Sequence, residues 1–248
     1  MIEHHLQKLR ARDTVSPEEE QAIRDSIAEV RAFGADQILI HAGQVLNFSI
    51  MLLDGLLCRY KDLSDGQRQI TELHVPGDFA DLHSFTLKRL DHNIMTITPC
   101  RVAIVPHEKL EQITERLPHL TRLYWFTTNM DAAIHREWEV SLGLRSAIER
   151  MAHLFCELQV RLSIVDLADE SGFAFGLTQA ELGEATGLST VHVNRTLQDL
   201  RAAGIIELKA RRLAILDLAA LMRASLFNPN YLHLDRAGHL DANMQAQV

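Results

Sequence analysis

Cysteine is nearly absent from this chain of 248 residues: Cys58, Cys100 and Cys156 are its only thiols, far apart and odd in number. That excludes a disulfide framework and fits reduced, core-placed thiols in a reducing compartment, with a redox-responsive thiol as the alternative. No apolar run has the length needed to cross a bilayer, and the opening "MIEHHLQKLRARD" carries charges where a secretion signal needs an apolar centre. The expected location is the cytoplasm, with no membrane partner. Glycine and proline are scarce, and 47% of the residues are hydrophobic, a composition of well-formed cores in a chain long enough for two domains. A basic excess is missing as well. The formal charge of -8 argues against indiscriminate nucleic-acid binding, because displacing counterions from phosphate requires clustered Lys and Arg. There is no nucleophile elbow, zinc-helix signature, phosphate loop or dinucleotide fingerprint, and no internal repeat, so neither an enzyme nor a cofactor is expected.

What is present is strongly punctuated. In "TVSPEEEQAIRDSIAEVRAF", Ser16 as N-cap, Pro17 at the first helical position and Glu19 at the capping-box position start a helix. After it come short β-rich runs separated by Asp54-Gly55, Asp65-Gly66 and Pro76-Gly77, with two more around Pro99. Strands at such spacing predict a small antiparallel barrel or roll. Pro106 and Pro118 bracket a short helix, and from Leu120 to about Leu142 the chain predicts one long helix. Its apolar residues Leu123, Phe126, Met130, Ala133 and, beyond Glu137, Val140 and Leu144 follow alternating steps of three and four. Such a seam is expected to meet a second copy of the chain; packing back onto its own barrel is the alternative.

A further helix, "AIERMAHLFCELQVRL", leads to "LTQAELGEATGLSTVHVNRTLQDL". Thr178 with Glu181 makes a capping box inside a Leu177/Leu182 staple, Gly187 ends that helix, and Ser189 caps the next. Val193, Leu197 and Leu200 give the second helix a core-directed face. Its other face carries Val191, Asn194, Arg195 and Gln198, side chains able to touch base edges. Two short helices about a tight glycine turn form a helix-turn-helix, with the second helix offered to the major groove. "GIIEL", "KARR" and "LAIL" then predict a two-stranded wing whose Lys209, Arg211 and Arg212 lie where a phosphate would pass.

With "DGQRQITELHVPGDF" in the roll, the seam helix and "LTQAELGEATGLSTVHVNRTLQDLRAAGIIEL", the chain closely resembles the Crp/Fnr superfamily of bacterial transcription regulators over roughly residues 20 to 225. The resemblance implies an α+β fold: an N-terminal antiparallel β-roll of the cyclic-nucleotide-binding, cupin-like kind with flanking helices (1–118), a dimerisation helix and hinge (119–144) and a winged helix-turn-helix (145–226), followed by a polar tail (227–248) expected to fray. It also implies a homodimer, a double-stranded DNA operator with two-fold symmetry and, for an activator, contact with RNA polymerase. Thr178, Ser189, Thr190 and His192 join the wing as expected DNA-backbone contacts.

The family pattern breaks in two places. Members that bind cyclic AMP hold its phosphate with an Arg-Ser or Arg-Thr pair; counting back from Cys100 puts Leu90 and Asp91 there, and an aspartate repels phosphate. The four N-terminal cysteines of iron-sulfur members are missing. His74, His83 and His92 flank the ligand segment, but nine-residue intervals match no compact metal motif, and structural or surface roles are expected. Many relatives carry Glu where Val191 stands and Ser or Gly where Asn194 stands, so the operator is expected to differ from the family's best-known half-site. The competing reading is a ligand-binding or protein-interaction module that has lost DNA binding.

Overall fold

The computed structural model describes residues 2–234. Its N-terminal part begins with α1 (Glu3–Arg12) and α2 (Pro17–Asp25), the latter opened by the Ser16/Glu19 capping box. Strands β1 (Glu29–Phe33), β2 (Ile38–Ile40), β3 (Phe48–Asp54), β4 (Leu57–Asp62) and β5 (Arg68–His74) follow, then α3 (Ser84–Leu87), β6 (Asn93–Thr96) and β7 (Cys100–Pro106). They pair antiparallel into two sheets, of order β1-β7-β3 and β2-β6-β4-β5. Alternation explains the almost unbroken apolar runs of β3 and β7. Ile50, Leu52, Val102 and Ile104 fill the space between the sheets, whereas Met51, Leu53, Ala103 and Val105 face a second core beneath the helices. Strands β3 and β7 are thus buried on both faces, whereas the edge strand β1 is exposed.

That second core is closed by α1, α4 (His107–Arg116) and the start of α5 (Pro118–Leu144). Helix α1 has no capping side chain to mark its start in the sequence. Its charges obscure a helical stripe of Ile2, His5, Leu6 and Leu9, all buried.

The C-terminal part contains α6 (Ala147–Ser163), β8 (Ala168–Asp169), β9 (Gly172–Ala174), α7 (Gln179–Thr186), α8 (Thr190–Ala202), β10 (Ile206–Lys209), β11 (Arg212–Ile215) and α9 (Leu218–Ser225). The wing is larger than expected, a four-stranded sheet of order β10-β11-β9-β8. One continuous core joins this part to the outer face of the roll, with Tyr60, Ile70 and Leu73 packed in the same cluster as Phe155, Leu182 and Leu197. Polar contacts reinforce the junction: Gln69 donates to the Glu184 carbonyl at 2.6 Å, and Arg150 from α6 donates to the Thr186 carbonyl at the end of α7 at 2.8 Å.

Two expectations are corrected. The seam of α5 divides between the chain and solvent. Leu123 and Ala133 are buried within the chain, Met130 packs on the C-terminal core, and Phe126 lies under the Arg12 guanidinium, 4.4 Å from its centroid. Burial of Ile134 and Trp138 on the same side explains this turn of the helix, because a large aromatic claims the intramolecular face. Val140 and Leu144 do face solvent, along with Trp125, which the seam omitted. The tail is corrected too: Phe227, Leu232 and Leu234 are buried, a 3-10 turn spans Pro229–Leu232, and the Tyr231 hydroxyl donates to Glu157 at 2.8 Å. Residues 235–248, to which the same expectation extended, lie outside the described residues.

Asp81 is fully buried and accepts hydrogen bonds from the Ile50 amide and the Ser84 hydroxyl. Burial pushes its carboxyl from the usual 3.8 up to about 7. A carboxyl raised in the fold is held more tightly protonated than in the unfolded chain, so its contribution to stability falls as pH rises from 3.8 towards about 7. In urea unfolding at about pH 5 and about pH 8, wild type should lose more stability on going to the higher pH than Asp81→Asn does; equal losses would contradict this assignment.

Candidate nucleic-acid interface and ligand cleft

The helix-turn-helix is assembled from local signals. Thr178 accepts from the Glu181 amide at 3.2 Å while the Glu181 carboxylate accepts from the Thr178 amide at 2.6 Å. Gly187 ends α7 at φ 65°, and Gly183 makes the close approach possible, since a Cβ there would stand 2.5 Å from the Leu188 carbonyl oxygen. Ser189 accepts from the His192 amide and starts α8, which buries Val193, Thr196, Leu197 and Leu200.

The opposite face of α8 is free. Val191 is 76% exposed, and Asn194, Arg195 and Gln198 are exposed beside it, as are Thr190 and His192. Among the described residues Arg195 has no carboxylate partner, and Asn194 makes only a 3.5 Å contact with Gln179, itself exposed on α7. Gln179 was not among the expected contacts, although its position at the start of α7 and its amide both qualified it.

The wing turn is held at φ 49° for Ala210 and 58° for Arg211, the left-handed pair that a two-residue turn between twisted strands requires, here without glycine. Arg211 donates to the Gly176 carbonyl at 3.2 Å and stays exposed. Lys209 is exposed with no carboxylate partner among the described residues. Arg212 differs from expectation: it is engaged by Asp169 at 2.9 and 3.0 Å and by Ser171, so its charge is already compensated by the β8–β9 turn.

A second feature lies between the roll and α5, an open cleft of about 470 Å³ bordered by Lys61, His83, Asp91, His92, Thr128 and His135. The histidines come together, with His83 and His92 ring centroids 5.4 Å apart. Burial holds His83 down to about 3 and lowers His92. His135 behaves oppositely: its contact with Glu72, at 2.9 Å, raises it. His74 is buried away from the cleft. Among the described residues no group of three or more His, Cys, Asp or Glu is arranged to hold a metal ion.

The cleft is poor in available positive charge. Arg59 spends its donors on the Ala80 carbonyl at 2.8 Å, on Glu72 at 2.6 Å and on Asp131 at 2.8 Å, while Lys61 is paired with Asp91 at 2.6 Å. Leu90 is buried in the roll core. The cleft therefore presents Asp91 and, among the described residues, no unpaired guanidinium.

The three thiols are buried and unbonded to each other. Burial raises all of them, Cys100 to about 11 and Cys156 to about 12, which makes them poor nucleophiles. Ser49, Ser84 and His107 cluster within 3.1–3.3 Å of one another, but Asp81 bonds Ser84 rather than the imidazole, and both hydroxyls are fully buried. That order does not activate a nucleophile.

A two-sheet roll followed by a long helix and a winged helix with an outward polar face defines a two-domain protein of the ligand-roll and helix-turn-helix class. Residues 30–116 match the cyclic nucleotide-binding domain, and residues 149–224 the Crp-like helix-turn-helix domain. The chain is 28% identical over 210 residues to the transcriptional activator protein FnrL of Cereibacter sphaeroides, covering 82% of this chain and 83% of that one. It is 22% identical over 221 residues to an anaerobic regulatory protein of Haemophilus influenzae, covering 89% and 86%. FixK2 from Bradyrhizobium japonicum has a related structure, with a TM-score of 0.74 at 24% identity over 82% of this chain and 99% of that one. The chain belongs to the Crp/Fnr superfamily.

Proposed function

We propose that this DNA-binding transcription regulator acts as a homodimer and reads a two-fold symmetric operator through α8. The observation that carries the reading is the exposed face of Val191, Asn194, Arg195 and Gln198, with Arg195, Lys209 and Arg211 all exposed and, among the described residues, without a carboxylate partner. In this reading Thr178, Ser189, Thr190, His192, Lys209 and Arg211 contact the DNA backbone, with Arg212 a lesser contributor because Asp169 holds it. The protein works in the cytoplasm, carries no catalytic activity and, where it activates, meets RNA polymerase. No helix among the described residues is long and apolar enough to cross a membrane. Cyclic AMP is not the effector, since the cleft offers its phosphate Asp91 and no free cation; calorimetry should register no saturable heat with it at micromolar concentration.

The dimer surface in this reading is the outward face of α5, with Trp125 68%, Val140 44% and Leu144 84% exposed. Val140→Asp should therefore convert the dimer to a monomer in light scattering at micromolar concentration and weaken operator binding. An unmodified protein that already scatters as a monomer would remove the dimer from this account. A salt titration on operator and on generic DNA tests the function itself. A log-log slope near zero on both would favour the interaction-module reading, to which the acidic balance of the chain lends its support.

A further inference from the structure

The cleft between roll and α5 has a neighbour on the adjacent side of the same helix. A partly enclosed cavity of about 110 Å³ is walled by α1, the turn after β5, α5, the end of α6 and residues 232–234. Its lining is mostly apolar, including Leu9, Phe79, Leu82, Ile134, Ile164 and Leu234. The volume compares with the ~150 Å³ apolar cavity that takes up benzene, so it suits one ring or a short alkyl chain.

The charges around it are unequal. Lys8, Arg12 and Arg161 border the cavity together with Asp78 and Asp131, three cations against two carboxylates. Four of the five are accounted for: Lys8 pairs with Asp78, Arg161 with both Asp78 and Glu157, and Asp131 accepts from Arg59. Arg12 is left. Its guanidinium lies over the Phe126 ring, half-buried, and has no carboxylate or hydrogen-bond acceptor among the described residues. A planar cation fixed on an aromatic face, with its donors unspent at the edge of an apolar cavity, is suited to bidentate capture of a carboxylate.

We propose that this cavity binds a small amphipathic monocarboxylate, its apolar body between α1, α5 and Ile164 and its carboxylate on Arg12. The site shares only Asp131 with the cleft of the roll and takes an anion: one negative charge matches the uncompensated positive charge of Arg12. An occupant touches α1, the roll and the end of α6 at once, so it can bias their arrangement to the extent that its affinity differs between arrangements.

The test needs no DNA and is independent of the reading above. Full-length protein is titrated calorimetrically with hexanoate and with 1-hexanol, up to about 10 mM. Hexanoate should bind saturably at one site per chain, and hexanol about tenfold or more weakly, the difference expected for one charge-assisted contact. Arg12→Gln, at a partly exposed position where folding is not at stake, should weaken hexanoate about tenfold or more while leaving hexanol unchanged, and Arg12→Lys should restore part of the loss. Ala11→Phe, which fills the cavity, should abolish both. Absence of any saturable heat overturns the proposal, as do equal affinities for hexanoate and hexanol or hexanoate binding that survives both Arg12→Gln and Ala11→Phe.

Discussion

Replacing Arg195 by alanine should relax the operator preference at one base pair of each half-site and cost about 1–3 kcal/mol per half-site, the value of a bidentate contact between arginine and guanine O6 and N7. The expectation rests on position: Arg195 stands on the exposed face of α8, one position beyond Asn194, with no carboxylate partner among the described residues. Lys209→Ala supplies the contrast. A lysine that meets only phosphate should weaken all sequences alike and flatten the salt slope by about one unit per half-site. Val191→Glu goes further, because it adds an acceptor able to favour cytosine N4 where valine is expected to meet a thymine methyl, so the preferred sequence itself should change. Competition binding against single-base operator variants at fixed salt reads all three. If every ratio in that panel survives Arg195→Ala, α8 is not the reading element.

The elements with local punctuation were the legible ones. Ser16/Glu19 and Thr178/Glu181 form the capping boxes that their spacing predicts, and Gly187 takes the left-handed conformation of a helix end. These signals act within one turn of chain, so sequence alone carries them. The free face of α8 was legible for the same reason: the periodicity that places Val193, Leu197 and Leu200 in the core puts Val191 and Arg195 outside. The face of α5 was not. Apolar residues occur all round this helix, and whether Leu123 or Trp125 turns inward is decided by α1 and the roll, which are distant in sequence. Arg212 escaped for a related reason, since Asp169 lies 43 residues away across the β9–β11 pairing. The Arg12 cavity depends on α1 and the docked tail, neither of which was foreseen.

Asp78→Asn should destabilise the protein by about 2–4 kcal/mol, towards the lower part of the range for breaking a buried ion pair because 19% of the Asp78 side chain remains exposed. Asp78 is the meeting point of three parts of the chain. Lys8 reaches it from α1, Arg161 from α6 at 3.0 Å, and the Val75 amide from its own turn at 2.9 Å. Arg161 continues to Glu157 at 3.0 Å and to the Leu73 carbonyl at 2.7 Å. An amide can still accept from Val75, but it leaves two largely buried cations without their shared counter-charge. Burial raises the Asp78 carboxyl, and Lys8 and Arg161 outweigh it, holding the group below its usual 3.8. The stability it contributes is therefore present above 3.8 and lost as pH falls through the lowered folded value, so wild type and Asp78→Asn should converge in strong acid. Urea unfolding across pH measures the difference, and a double-mutant cycle with Arg161→Met isolates the coupling across the domain junction. A change below about 0.5 kcal/mol near neutral pH would mean that the pair contributes nothing net. Because Tyr60, Ile70 and Leu73 share one core with Phe155 and Leu182, the midpoint should shift without the transition splitting in two.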